Sequence, residues 1–163
     1  AVGTKLIELG INFVILAALM AWYGMLPTAH ILWVPLIILY TVLAALTISF
    51  VGAAINVYYR DMGQALPVLL TLMMYASPVI YPLQLVKDKL LIEQAAGEWS
   101  TLLYTLYTLN PLAGIIDAFQ NVVLRGLPPD WNALLPGALT VAVLLPLSYG
   151  FFKRAESYFA DVI

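Results

Sequence analysis

The sequence predicts an all-α polytopic membrane protein: four transmembrane helices and a short helical hairpin on the outer side. Two observations carry this. Long apolar stretches run from Leu9 to Leu26, Ile31 to Ile55, Leu66 to Val86 and Ala133 to Phe152, each close to or beyond the ~20 residues that a helix rising 1.5 Å per residue needs to cross a hydrocarbon core of about 30 Å. The composition agrees: 63% of residues are hydrophobic, 10% are charged and the mean hydropathy is +0.95. A water-soluble domain of this size would have nowhere to bury that apolar surface.

The same composition excludes several chemistries. There is no cysteine and one histidine, His30, so disulfides, thiolate nucleophiles, redox centres and a metal site are not expected. A net charge of -2 without clustered Lys and Arg argues against a nucleic-acid partner, because phosphate neutralisation needs such clusters. No GxSxG, HExxH or glycine-led lysine loop is present, and no crossing carries paired carboxylates. No catalytic residue and no cofactor held by this chain are expected. Residues Ala1 to Gly10 do not read as a signal peptide, since Lys5 and Glu8 precede an apolar run too long for an h-region. The chain opens with Ala1 rather than Met and is expected to be a fragment that has lost its beginning.

In chain order, the first two crossings carry small residues at helical spacing, Ala17 and Ala21, then Ala45, Ser49 and Ala53, rows that either permit close helix packing in lipid or are ordinary alanine-rich membrane helix. The third crossing, 62–86, is broken. Pro78 and Pro82 lack amide donors and push Ser77 and Tyr81 away from helical angles, so regular helix should end near Ala76. The remainder, SPVIYP at 77–82, is either unwound backbone beside a transport path, tolerated at depth only where protein or water covers it, or a simple proline-terminated helix at the interface. After it, Asn110 followed by Pro111 reads as N-cap and first helical residue. Leu112, Ile115, Ile116, Phe119, Val122 and Val123 then share one face, with Asp117, Gln120 and Asn121 opposite. Gly126 stops this helix, and Pro128 and Pro129 prevent its continuation. The aromatic, threonine-rich stretch 99–109 is its expected partner in a hairpin over 99–125 that dips into the outer leaflet. Trp99, Tyr104, Tyr107 and Trp131 suit an interfacial belt. The fourth crossing, 133–152, leads into a tail, 153–163.

Four crossings put both ends and the 56–64 connection on one side. Lys5, Arg60, Lys153 and Arg154 lie there against Lys87, Lys89 and Arg125 opposite, and the pair Lys153 and Arg154 directly follows the last crossing, where the positive-inside rule weighs charge most. The termini are expected in the cytoplasm. Asp117 is the acid nearest membrane depth and hence a functional candidate, although the polar face it shares with Gln120 and Asn121 favours an acid facing water. Arg60 and Asp61 also read as an interfacial anchor and a surface ion pair.

NVYYRD at 56–61, SPVIYP at 77–82, LNPLAGIIDAF at 109–119, Arg125 with Gly126, and FFKRAESYFAD at 151–161 together resemble the permease subunit of ATP-binding-cassette exporters of bacterial surface polysaccharides, the carriers of O-antigen, teichoic acid or capsular chains. The resemblance implies a multi-pass protein of the bacterial cytoplasmic membrane, matching the last four crossings of a six-crossing permease. It implies a substrate path at Tyr75, Ser77, Pro78, Tyr81 and Pro82, and an outer gate at Asn110, Pro111 and Asp117. It further implies contacts with a nucleotide-binding ATPase subunit at Tyr59, Arg60, Asp61, Glu156, Phe159 and Asp161. ATP would be used by that partner. A second copy of the permease, membrane lipid and a glycan substrate complete the implied partners. Two alternatives accompany this reading: a drug or small-lipid exporter of the same superfamily, and a non-transporting four-helix membrane scaffold.

Overall fold

The computed structural model describes residues 2–24, 27–59, 62–93 and 98–160, and among them every regular element is helical. Helix α1 (Val2–Trp22) begins before the expected apolar boundary and takes in Lys5 and Glu8, which pair at 2.7 Å on its exposed surface. It stops at Gly24, whose φ of 69° is the left-handed conformation a helix end favours. A 3-10 turn, Ala29–Trp33, leads into α2 (Val34–Tyr58), which has proline in its first turn, where the missing N–H costs nothing. Then come α3 (Met62–Ala76), α4 (Leu83–Lys87), a π-helical stretch Asp88–Glu93, α5 (Glu98–Thr108) and α6 (Pro111–Phe119). A π-helical extension of α6, Gln120–Arg125, precedes α7 (Trp131–Ala160).

The described residues hold three helices long and apolar enough to cross a membrane, Gly3–Trp22, Ala29–Asn56 and Trp131–Glu156. The expected third crossing, 62–86, is divided. Regular helix ends at Ala76 as the prolines predict, leaving 15 residues in α3, or about 22 Å against a core of about 30 Å. Helix α7 instead runs past its expected limits and stays continuous through Pro136 and Pro146. Thr140 and Ser148 hydroxyls donate to the carbonyls of Pro136 and Leu145 within it.

Trp33 lies edge-on to Trp131 with ring centres 5.1 Å apart, and Phe50 meets both Tyr149 and Phe152 at 5.5 Å. Helices α2 and α7 therefore run parallel, and residues 59 and 156 emerge at the end opposite Trp33 and Trp131. Helix α6 packs against both of them. Ile37 and Ala44 from α2, Leu134 and Val141 from α7, and Ile115 and Ala118 from α6 form the core, joined by Met20 of α1 and by Val122 and Val123. The approach of α6 to α7 is close enough to require glycine: a β-carbon on Gly114 would lie 2.7 Å from the Ala133 carbonyl oxygen, and one on Gly137 2.8 Å from Pro111 Cα.

The row Ala45, Ser49 and Ala53 makes no tight helix contact among the described residues. The buried positions of α2, Ile37, Ala44, Thr47 and Ala54, lie on the opposite face. The small-residue row instead borders an open cavity of about 490 Å³ shared with Leu66 and Leu70 of α3. Ala17 and Ala21 are exposed.

Candidate functional site

The break after α3 and the α5–α6 hairpin meet at the end of the molecule remote from residues 59 and 156. Ser77 is fully buried, and its hydroxyl accepts a hydrogen bond of 2.9 Å from the Asn110 amide. Asn110 works in both directions, because its side-chain oxygen accepts from the Leu112 N–H at 3.1 Å and so caps α6. Pro78 is buried beside it. The Tyr107 hydroxyl donates to the Tyr81 hydroxyl at 3.2 Å, and Tyr81 donates to the Tyr75 carbonyl at 3.1 Å. This chain of bonds returns the irregular segment onto the last turn of α3, satisfying a carbonyl that the end of a helix leaves open. Pro82, in extended conformation, starts α4.

Six of the eight residues expected to form substrate path and gate, Tyr75, Ser77, Pro78, Tyr81, Asn110 and Pro111, thus lie in one connected region. The Tyr75 side chain remains largely exposed. Tyr107, read from sequence only as an interfacial aromatic, is part of the junction. Its signal was faint: one tyrosine among several, whose partner is 26 positions away.

Asp117 takes part in a second polar cluster. It does not face open water from one side of an amphipathic helix. It is 5% exposed, accepts from the Asn121 amide at 2.8 Å, and Asn121 in turn accepts from Arg125 at 2.8 Å. One face of α6 is covered by the core, and the Asp117 side borders a cavity bounded by α4 and the turn before α7. Burial, reinforced by the negative charge of Asp130, pushes the Asp117 carboxyl above the ordinary carboxylate range, while Arg125, Asn121 and Lys87 oppose the shift. Lys87 pairs with Asp130 at 3.3 Å, closing α4 onto the start of α7. These groups surround a cavity of about 310 Å³.

At the opposite end, Tyr59 is exposed, and Glu156 is exposed and paired with Lys153 at 2.6 Å. Arg60, Asp61 and Asp161 lie outside the described residues, as does the side chain of Phe159. Among the described residues no cluster of His, Cys, Asp or Glu could hold a metal ion.

The chain is 29% identical over 162 residues to the O-antigen export system permease protein RfbA of Myxococcus xanthus, a match covering 99% of this chain and 58% of that protein. Two proteins of the same name from Klebsiella pneumoniae are each 24% identical, over 151 and 143 residues. These matches cover 91% and 86% of the chain and 52% and 49% of the relatives. The chain therefore spans about half the length of the curated relatives it matches. No family model and no solved structure matches. In sequence, then, this helical chain is similar over nearly its full length to part of an O-antigen export permease, in line with the resemblance its motifs carry.

Proposed function

We propose that the chain is the membrane-spanning part of an ATP-driven permease that moves polysaccharide or lipid-linked glycan outward across the bacterial cytoplasmic membrane. The observation that carries this reading is the match of 162 residues to an O-antigen export permease. The geometry supplies a way to work. The α5–α6 hairpin is a re-entrant outer gate: Pro111 lies against Gly137, six residues into α7 and so about 9 Å below its start. Beside that gate, α3 unwinds at Ser77, which frees backbone and aromatic groups to face a wet path. Aromatic rings stack on sugar faces while phenol hydroxyls hydrogen-bond, and Tyr75 and Tyr81 are the rings placed for it.

Two copies of the permease form the path between them, and a nucleotide-binding subunit docks at the cytoplasmic end against Tyr59, Arg60, Asp61, Glu156, Phe159 and Asp161. ATP binding and hydrolysis on that subunit bias the gate between closed and open states. The termini are cytoplasmic. This arrangement makes 62–86 the third of four crossings, completed by the irregular segment and α4.

The test is export in a strain whose own permease gene carries Tyr81→Ala. Reduced surface polysaccharide, with normal membrane levels of permease and copurification of the ATPase subunit, is expected. Undiminished polysaccharide would overturn the placement of the path, and absence of any ATPase from the purified complex would overturn the transporter.

A further inference from the structure

The cavity of about 310 Å³ beside the hairpin differs from the other hollows of the chain. The one between α1 and α6 and the one between α2 and α7 are lined almost wholly by apolar side chains. This one brings Lys87, Asp117, Asn121, Arg125 and Asp130 together with Gln84, from α4, α6, its π-helical extension and the turn before α7. We propose that it is a saccharide subsite on the outer face, taking one neutral, hydroxyl-bearing sugar unit of the chain as it leaves the path. The inference rests on the permease reading and adds a place where the emerging glycan is held.

The lining argues for the ligand class. A sugar hydroxyl donates and accepts at once, so it needs acceptors and donors side by side. The carboxylate of Asp130 and the amide oxygen of Gln84 accept, while the Lys87 ammonium and the Arg125 guanidinium donate. Arg125 carries five N–H donors, and among the described residues one of them is bonded to Asn121. An anionic ligand would have to sit against Asp130 and Asp117, and a cationic one against Lys87 and Arg125. The mixed signs favour a neutral polar guest. Leu83, Leu127 and Pro128 complete the wall and offer an apolar surface for the C–H face of a pyranose. The volume lies at the lower end of the ~300–1,000 Å³ usual for small-molecule sites, suiting one ring rather than a long segment. The position fits as well. Helix α4 follows Pro82 directly, so a chain passing Tyr81 meets this cavity next.

The experiment uses the whole permease that carries this chain, with its ATPase subunit, in lipid nanodiscs. Saturation-transfer NMR is recorded with the methyl glycosides of glucose, galactose and mannose, and with glucuronate as the anionic comparator. Transfer to at least one hexoside is expected, weakened roughly tenfold by Lys87→Gln and by Arg125→Gln, each of which removes a charge-assisted donor. Lys87 is only part-buried, so a second variant, besides Arg125→Gln, reads the same subsite. Absence of transfer to every hexoside, equal transfer in the variants, or preference for glucuronate would overturn the subsite. Surface polysaccharide is scored in parallel after deletion and complementation of the gene. Export that depends on the permease but shows no hexoside binding removes the subsite alone, whereas export that does not depend on it removes the permease reading.

Discussion

Asn110 and Ser77, 33 positions apart, are joined by a side-chain hydrogen bond of 2.9 Å that ties the start of α6 to the end of α3. One amide performs two tasks, since its oxygen caps α6 through the Leu112 N–H while its nitrogen holds the Ser77 hydroxyl. Asn110→Ala removes both and should cost about 1 kcal/mol for the cap and about 1 kcal/mol for the buried bond. Asn110→Asp keeps the cap and loses the donor, so it should recover roughly half. Thermal unfolding in detergent of these variants, combined with Ser77→Ala in a double-mutant cycle, measures the coupling. Strictly additive losses would show that the bond contributes nothing.

The Tyr107, Tyr81 and Tyr75 chain predicts a different outcome for a smaller change. Tyr107→Phe removes one hydroxyl and leaves the Tyr81 bond to the Tyr75 carbonyl in place, so stability should fall by about 1 kcal/mol or less. Tyr81→Phe breaks both bonds and should cost more, with faster amide exchange over residues 77–82. Equal exchange in the two variants would count against the tyrosine chain as what orders this segment.

Gly114 offers a third test. An added β-carbon would meet backbone of α7, the Ala133 carbonyl oxygen at 2.7 Å and Leu134 Cα at 2.9 Å, and backbone cannot rotate aside as a side chain can. Gly114→Ala should destabilise by about 1–3 kcal/mol through overpacking, although alanine is the better helix former. Gly63→Ala, where nothing lies within 4 Å, is the control and should be neutral or slightly stabilising. A neutral Gly114→Ala would mean that α6 and α7 are not in this contact.

Asp117 makes stability depend on pH. Its folded carboxyl titrates above the ordinary value, so folding favours the protonated form. The contribution is fully present below the unfolded pKa, near ~3.9, and is lost as pH rises through the higher folded value. Melting temperature should therefore fall as pH is raised across that interval, and Asp117→Asn should flatten the dependence. A slope unaltered by Asp117→Asn would assign it to other acids.

Much of the local structure was legible in the sequence because it depends on neighbours within a turn. The stop at Ala76 follows from Pro78, the start of α6 from the pair Asn110 and Pro111, and the stop at Gly126 from its left-handed backbone. What joins these elements was not legible. The Lys87 and Asp130 pair spans 43 positions, and no periodicity relates an α4 lysine to the residue before α7. Asp117 looked like part of a wet face because helical phase distinguishes two faces without saying how far each is buried. The small row on α2 left two readings open for a related reason: alanine permits close approach anywhere, and tertiary packing chose Ala44 and Ala54 instead. Continuity through Pro136 and Pro146 likewise was not legible, because each proline alone reads as a break.

The contact at Gly114 and Gly137 also has a mechanical meaning. With backbone against backbone, α6 cannot be pressed further toward α7, and pulling it away would empty the core at Ile115 and Ala118. The α5–α6 hairpin and the 30-residue rod of α7 therefore travel as one lever, about 45 Å from end to end. Its pivot lies where glycine lets two helices touch. A push delivered near Glu156 would arrive at Asn110 as a tilt, and the joint that yields would be the seam made by the Asn110–Ser77 and Tyr107–Tyr81 bonds.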